Sequence, residues 1–191
     1  RFRRRHGRKV RAIVRGPAGQ PEAAVEVLPP DQVEIVPREA LAPGRYTLEL
    51  TFTNRYSRRA AALYRVETGG ESYLFTQFEA TEAREAFPCW DEPEFKVPWQ
   101  FTLTVPSAQL AVSNTPVERE TPAANGRKTV LFRRTPPMSS YFLAVAVGPF
   151  ETVPLRGMSV PGRIVCVKGA SGLTAEAARA TPPLLAALEK Y

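Results

Sequence analysis

The sequence is poor in the residues that hold metals or activate nucleophiles. It has one histidine, His6, and two cysteines, Cys89 and Cys166, in 191 residues. Zinc takes three or four converging ligands, so His6, set among arginines, reads as a solvated side chain. Two cysteines so far apart make neither a disulfide framework nor a metal-binding spacing. They read as small buried or half-buried apolar groups, which favours a reducing, cytoplasmic compartment. No apolar run approaches the roughly 18 residues that cross a bilayer, so no membrane partner is expected. The longest, Tyr141 to Val147, suits a buried strand. A His-Glu-x-x-His pair, a Gly-x-Ser-x-Gly elbow and a phosphate-cradling Gly-rich loop are all absent. No serine or cysteine has a histidine base near it in sequence. Taken alone, the chain is not expected to be an enzyme: it offers no catalytic residue, no metal ligand and no cofactor site.

Positive charge, by contrast, is in excess. Lysine and arginine number 26 against 19 acids, a net charge of +7. Much of the excess lies in Arg1, Arg3, Arg4, Arg5, Arg8, Lys9 and Arg11. Such a run could neutralise phosphates, but no recognition helix, stacking platform or zinc-finger spacing accompanies it. It reads instead as a solvated strand edge that discourages edge-to-edge pairing, and nucleic acid is not expected as a partner. Carboxylates cluster at Glu79, Glu82, Glu85, Asp91, Glu92 and Glu94. Paired acids can hydrolyse glycosides, yet Arg84 and Lys96 lie among them, and structural ion pairs are the simpler reading.

Nineteen prolines and twelve glycines punctuate short apolar runs, the pattern of an all-β chain. Strands are predicted at Lys9 to Arg15, around Val25 to Leu28, at Val33 to Val36 and at Arg45 to Asn54. Further strands are expected at Tyr73 to Phe75, Gln100 to Val105, Leu110 to Val112, Thr129 to Phe132 and Tyr141 to Val147. The clearest is Arg45 to Asn54, where Tyr46, Leu48, Leu50 and Phe52 alternate with Thr47, Glu49, Thr51 and Thr53; such a period of two predicts one buried and one wet face. A turn is expected at Gly16 to Gln20, and Asn125-Gly126 is a hairpin signal. Strands so spaced predict an antiparallel β-sandwich. From Thr174 to Tyr191 the chain reads as helix, with Thr174 as cap and Pro182-Pro183 kinking or splitting it. Leu184, Leu185 and Leu188 then form an apolar face with little to pack against.

The stretch Thr76 to Pro106 carries Thr76-Gln77-Phe78-Glu79, Ala83-Arg84, Phe87-Pro88-Cys89-Trp90-Asp91-Glu92-Pro93, and Lys96 before a strand. Two later landmarks follow: Ser113-Asn114-Thr115-Pro116-Val117, and Thr135 to Tyr141 leading into Ala144 to Gly148. In this order the three resemble the aminopeptidase N-type family of zinc peptidases, over roughly Arg45 to Val167. The resemblance implies an N-terminal, saddle-like β domain over residues 1–168. Residues 169–191 would be a linker and the start of a catalytic domain absent from this chain. That domain is the expected partner, and zinc is expected there. Arg1, not methionine, stands first, so a lost upstream segment is expected.

By resemblance, Glu79 matches the acid that binds the free α-amino group of a peptide substrate, and Gln77 lines the first side-chain pocket. A carboxylate suits that task, because it forms a charge-assisted hydrogen bond with an ammonium. An acylated N-terminus would leave it desolvated and unpaired. The alternative reading is a non-catalytic interaction module derived from the same family. Arg84, Asp91, Glu92 and Lys96 are read as structural, with Arg84→Ala expected to cost about 2 to 4 kcal/mol if the group is buried. Phe87, Trp90 and Phe95 are read as apolar anchors, and Met138 and Tyr141 as core. One departure stands out: the family has a glycine shortly before its Leu/Phe-Tyr-Arg segment, where this chain has Ala60-Ala61-Ala62 before Leu63-Tyr64-Arg65.

Overall fold

The structure, a computed structural model, describes residues 2–3, 7–16, 19, 23–28 and 32–191. His6, Arg1, Arg4, Arg5 and part of the Gly16 to Gln20 turn lie outside the described residues. Antiparallel strands dominate, as the spacing of apolar runs and turns predicts. Strand β1 (Phe2–Arg3) pairs with β4 (Gln32–Pro37), which also pairs with β3 (Ala23–Leu28). Strand β2 (Gly7–Arg15) pairs with β5 (Thr47–Asn54) as a two-stranded ribbon.

The central sheet follows the order β6-β7-β12-β9, with β6 Ala62–Thr68, β7 Glu71–Gln77, β9 Leu110–Ser113 and β12 Val145–Gly148. Beside it lies a three-stranded sheet of β10 (Val117–Ala123), β11 (Arg127–Phe132) and β8 (Thr102–Pro106). The inward residues of both sheets meet in one core of Val105, Ala111, Val130, Phe132 and Val147. A second core joins Phe78, Ala83, Ala86, Cys89 and Leu143, with Trp99, Met138 and Tyr141 packed against it.

The turns follow the expected chemistry. Gly69 and Gly70, at φ +59° and +75°, close the β6–β7 hairpin where Thr68 faces Glu71, the two-residue turn that needs positive φ at both positions. Asn125-Gly126 closes β10–β11. Ala62 itself sits at φ +59° while 2% exposed, a left-handed conformation that Ala adopts only at a cost.

Several sequence expectations are corrected. The alternation of β5 is present, but Leu48 and Leu50 are only half-buried and Phe52 is 37% exposed. A ribbon paired with β2 alone is too narrow to bury its own apolar row. Tyr141 to Val147 is not one strand: Ser140–Phe142 forms a 3-10 turn and pairing begins at Val145. Strands β13 (Glu151–Leu155) and β14 (Gly162–Cys166) form a hairpin that the sequence reading passed over. Finally, α2 runs from Ala175 to Leu188 through Pro182 and Pro183 without restarting. Proline's fixed φ suits a helix; what is lost is the N–H donor at two successive positions. Thr174 does not cap it with its side chain, because its hydroxyl donates to the Ser171 carbonyl at 2.7 Å.

Candidate functional site

The motif stretch that begins at the end of β7 folds into a knot around Phe78, with Gln77 and Glu79 among the residues on its outside. Phe78 turns into the core at 2% exposure. Its carbonyl accepts the Glu82 N–H at 3.0 Å, which starts the single turn α1 (Ala83–Ala86). Ala83 and Ala86 face inward from that turn. Arg84 reaches Asp91, which is 0% exposed: the Arg84 Nε donates to Asp91 Oδ2 at 2.8 Å and its backbone N–H to the same oxygen at 3.0 Å. The Ser140 hydroxyl donates to Asp91 Oδ1. A carboxylate buried this deeply needs such partners, because an unpaired charge there would be strongly destabilising.

The other landmarks converge on the same knot. The Ser139 hydroxyl donates to the Pro93 carbonyl, and the Trp99 indole donates to the Met138 carbonyl at 2.9 Å. Val97 and Met138 form a bridge. Asn114 donates to the Phe142 carbonyl and accepts the Ala144 N–H, both at 2.8 Å. The three sequence landmarks are therefore one hydrogen-bonded assembly in space, and most of their polar residues are fasteners.

Cys89 lies buried within the knot. Burial pushes its thiol well above the ordinary range, with the Asp91 carboxylate adding to the shift and Arg84 opposing it, so it stays protonated and unreactive. Cys166 is half-buried and, like Cys89, free.

Two sequence assignments in this loop need correction. Trp90 and Phe95 do not anchor it: they are 44% and 40% exposed, and their rings lie against each other with centroids 6.5 Å apart. Cys89 and Asp91 take the inward positions on either side of Trp90, which leaves the indole outside. Phe87 does pack inward, edge-to-face on Phe78 and Trp99. A residue missed in the sequence is Asn54, at the end of β5. Its amide donates to the Ala86 carbonyl at 3.0 Å and to that of Glu85, tying the ribbon to α1. Nothing local marks it, since the partner lies 32 residues on.

Gln77 and Glu79 flank Phe78 and are both exposed. The Gln77 Oε1 accepts the Glu79 N–H at 3.2 Å, which holds the side-chain amide of Gln77 against the backbone of Glu79. The Glu79–Ala80 peptide bond is cis. Among the described residues no group of three or more His, Cys, Asp or Glu side chains could hold a metal ion, and they do not fit zinc. Among the same residues no helix is long and apolar enough to cross a membrane.

Comparison with known proteins places this assembly. A family model described as the peptidase M1 N-terminal domain matches residues 10–142. Aminopeptidase M1-A of Oryza sativa subsp. japonica is 42% identical over 137 residues, 69% of this chain and 15% of that protein. Aminopeptidase N of Acetobacter pasteurianus is 35% identical over 134 residues, 68% of this chain and 38% of that protein. The puromycin-sensitive aminopeptidase of Caenorhabditis elegans is 39% identical over 137 residues, 64% and 14% respectively. The chain spans well under half the length of these curated relatives. With the match covering most of the sequence and all three landmarks fastened into one knot, the chain belongs to the peptidase M1 N-terminal domain family.

Proposed function

We propose that this chain supplies the N-terminal part of a substrate pocket in an aminopeptidase, with Glu79 binding the free α-ammonium of a peptide and Gln77 bordering the first side chain. The observation that carries this reading is the exposure of Gln77 and Glu79 beside a knot in which Asp91, Ser139 and Ser140 are turned inward. An outward carboxylate with its neighbour's amide already oriented costs little to reorganise when an ammonium arrives. A charge-assisted hydrogen bond to that ammonium would exclude N-acylated peptides, which have no donor of comparable strength. In this reading residues 1–168 form the β unit and residues 169–191 lead toward the catalytic unit, which holds the zinc. The two unpaired thiols support a cytoplasmic setting.

The test is a titration of isotope-labelled chain with leucinamide and with N-acetyl-leucinamide, followed by NMR. Leucinamide is expected to move the amide signals of Gln77 to Ala80, N-acetyl-leucinamide to leave them in place, and Glu79→Gln to abolish the response. Equal responses to both ligands, or none at these amides, would overturn the proposal.

A further inference from the structure

Tyr56, 50% exposed, lines three cavities, which measure about 520, 510 and 410 Å³. The smallest is apolar, with Phe52 of β5, Leu63 of β6, and Phe101 and Leu103 of the β8 segment among its walls. The largest carries Arg55, Arg58 and Arg59, and the third carries Arg65 and Arg127. Together these walls hold five arginines and a single carboxylate, Glu85. Arg59 reaches that carboxylate at 3.3 Å. Arg65 pairs with Glu67, whereas among the described residues the Arg127 guanidinium meets the Thr104 carbonyl and no carboxylate. Among the described residues Arg55 and Arg58 meet no carboxylate.

The basic loop is held in place. Asn54, fastened to α1, accepts the Arg55 N–H at 2.8 Å. The Ser57 hydroxyl bonds both the N–H and the carbonyl of Arg59 at 3.1 Å. Fixed backbone beneath exposed guanidinium groups lowers the ordering cost of a ligand.

We propose that this trench binds an extended peptide segment in which apolar side chains are flanked by carboxylates. The apolar middle rewards burial of carbon, and the uncompensated arginines at either end are complementary to acids. Nucleic acid fits less well, because an apolar floor would interrupt the phosphate contacts that dominate its affinity. Thr76 and Phe78 border the apolar cavity while Gln77 and Glu79 do not. The trench therefore lies behind the strand end that presents Glu79, and the proposal does not depend on the role of that residue.

Fluorescence anisotropy with the 191-residue chain tests it. The probe is a labelled heptapeptide with Leu-Phe-Leu between acidic pairs; one control replaces its acids with lysine and another its apolar residues with serine. Each exposed ion pair contributes a fewfold in affinity, so Arg55→Ala with Arg58→Ala is expected to weaken the acidic probe about tenfold. The lysine control should bind more weakly still. Phe52→Ser, at an exposed ribbon position, should weaken it by a similar factor without changing the circular dichroism spectrum. Failure of the acidic probe to bind, equal binding of the lysine control, or no response to the arginine substitutions would overturn the proposal. So would sedimentation showing that a second copy of the chain occupies the trench.

Discussion

Between Ala62 and Val147 the chain buries Tyr73, Phe78, Val130, Phe132 and Leu143 to 2% exposure or less. Before Ala62, among the described hydrophobic residues, Val14 and Val33 alone fall inside, and after Gly148 none does. The buried polar groups divide in nearly the same way: among the described residues Asp91, Thr135, Ser139 and Ser140 lie in the central stretch and Thr174 alone lies outside it. Flanking strands are as well paired as central ones, yet pairing alone adds little stability without a covered face. The central stretch is thus the scaffold; the ribbon is tied to it through Asn54, and α2 lies against β13.

This contrast can be broken most sharply at Asp91. Asp91→Ala removes the buried carboxylate to which Arg84 Nε and the Ser140 hydroxyl donate, and should cost about 3–5 kcal/mol in urea unfolding. Phe52→Ala in the ribbon should cost less than about 1 kcal/mol, because that side chain gives up little burial. Equal losses would show that the two regions are not different in kind. Gly148→Ala comes next. A Cβ there would stand 2.5 Å from Tyr73 Cδ1, and displacing a buried ring should cost about 1–3 kcal/mol. At Ala62 a smaller change is expected. Glycine relieves the left-handed strain, worth about 1–2 kcal/mol, but gives back roughly 0.5–1 kcal/mol through unfolded-chain freedom. Thermal denaturation of Ala62→Gly should therefore show no loss of stability and a gain of at most about 1.5 kcal/mol.

The smallest effect is expected outside the scaffold, at Glu151. The Gly169 N–H, and after it Ser171, hold its carboxyl below the ordinary carboxylate range. A depressed folded value means that its contribution is complete above the ordinary range and fades as pH falls through the lower, folded value. Acid titration of the far-UV signal should show a slight early loss at low pH that is absent in Glu151→Gln.

The same division explains what could be read from the sequence. Strand β2, the pairing of Asn125-Gly126 with a hairpin, and the landmarks of the knot were legible because each is a local pattern. Gly69-Gly70 between β6 and β7 was equally local and was overlooked. The β13–β14 hairpin was hidden by Pro154, which reads as a strand breaker although it lies at an exposed position. Asn54 with Ala86, and Asp91 with Ser140, were beyond reach, because residues 32 and 49 positions apart meet only once the fold exists. For Trp90 and Phe95 a hydrophobic label was mistaken for burial, where the inward places flanking Trp90 were already taken by Cys89 and Asp91. The functional assignment of Gln77 and Glu79 rests on resemblance, and the geometry adds their shared outward position.

The most direct test is kinetic, in a polypeptide that joins this chain to the catalytic unit proposed above. Glu79→Gln should lower kcat/KM for a free-amino aminoacyl anilide about 10- to 100-fold, the worth of a hydrogen bond to a charged group. Unfolding stability should stay within about 0.5 kcal/mol of the parent. An unchanged kcat/KM, or a loss matched by lost stability, would contradict a scaffold that holds Glu79 out toward substrate.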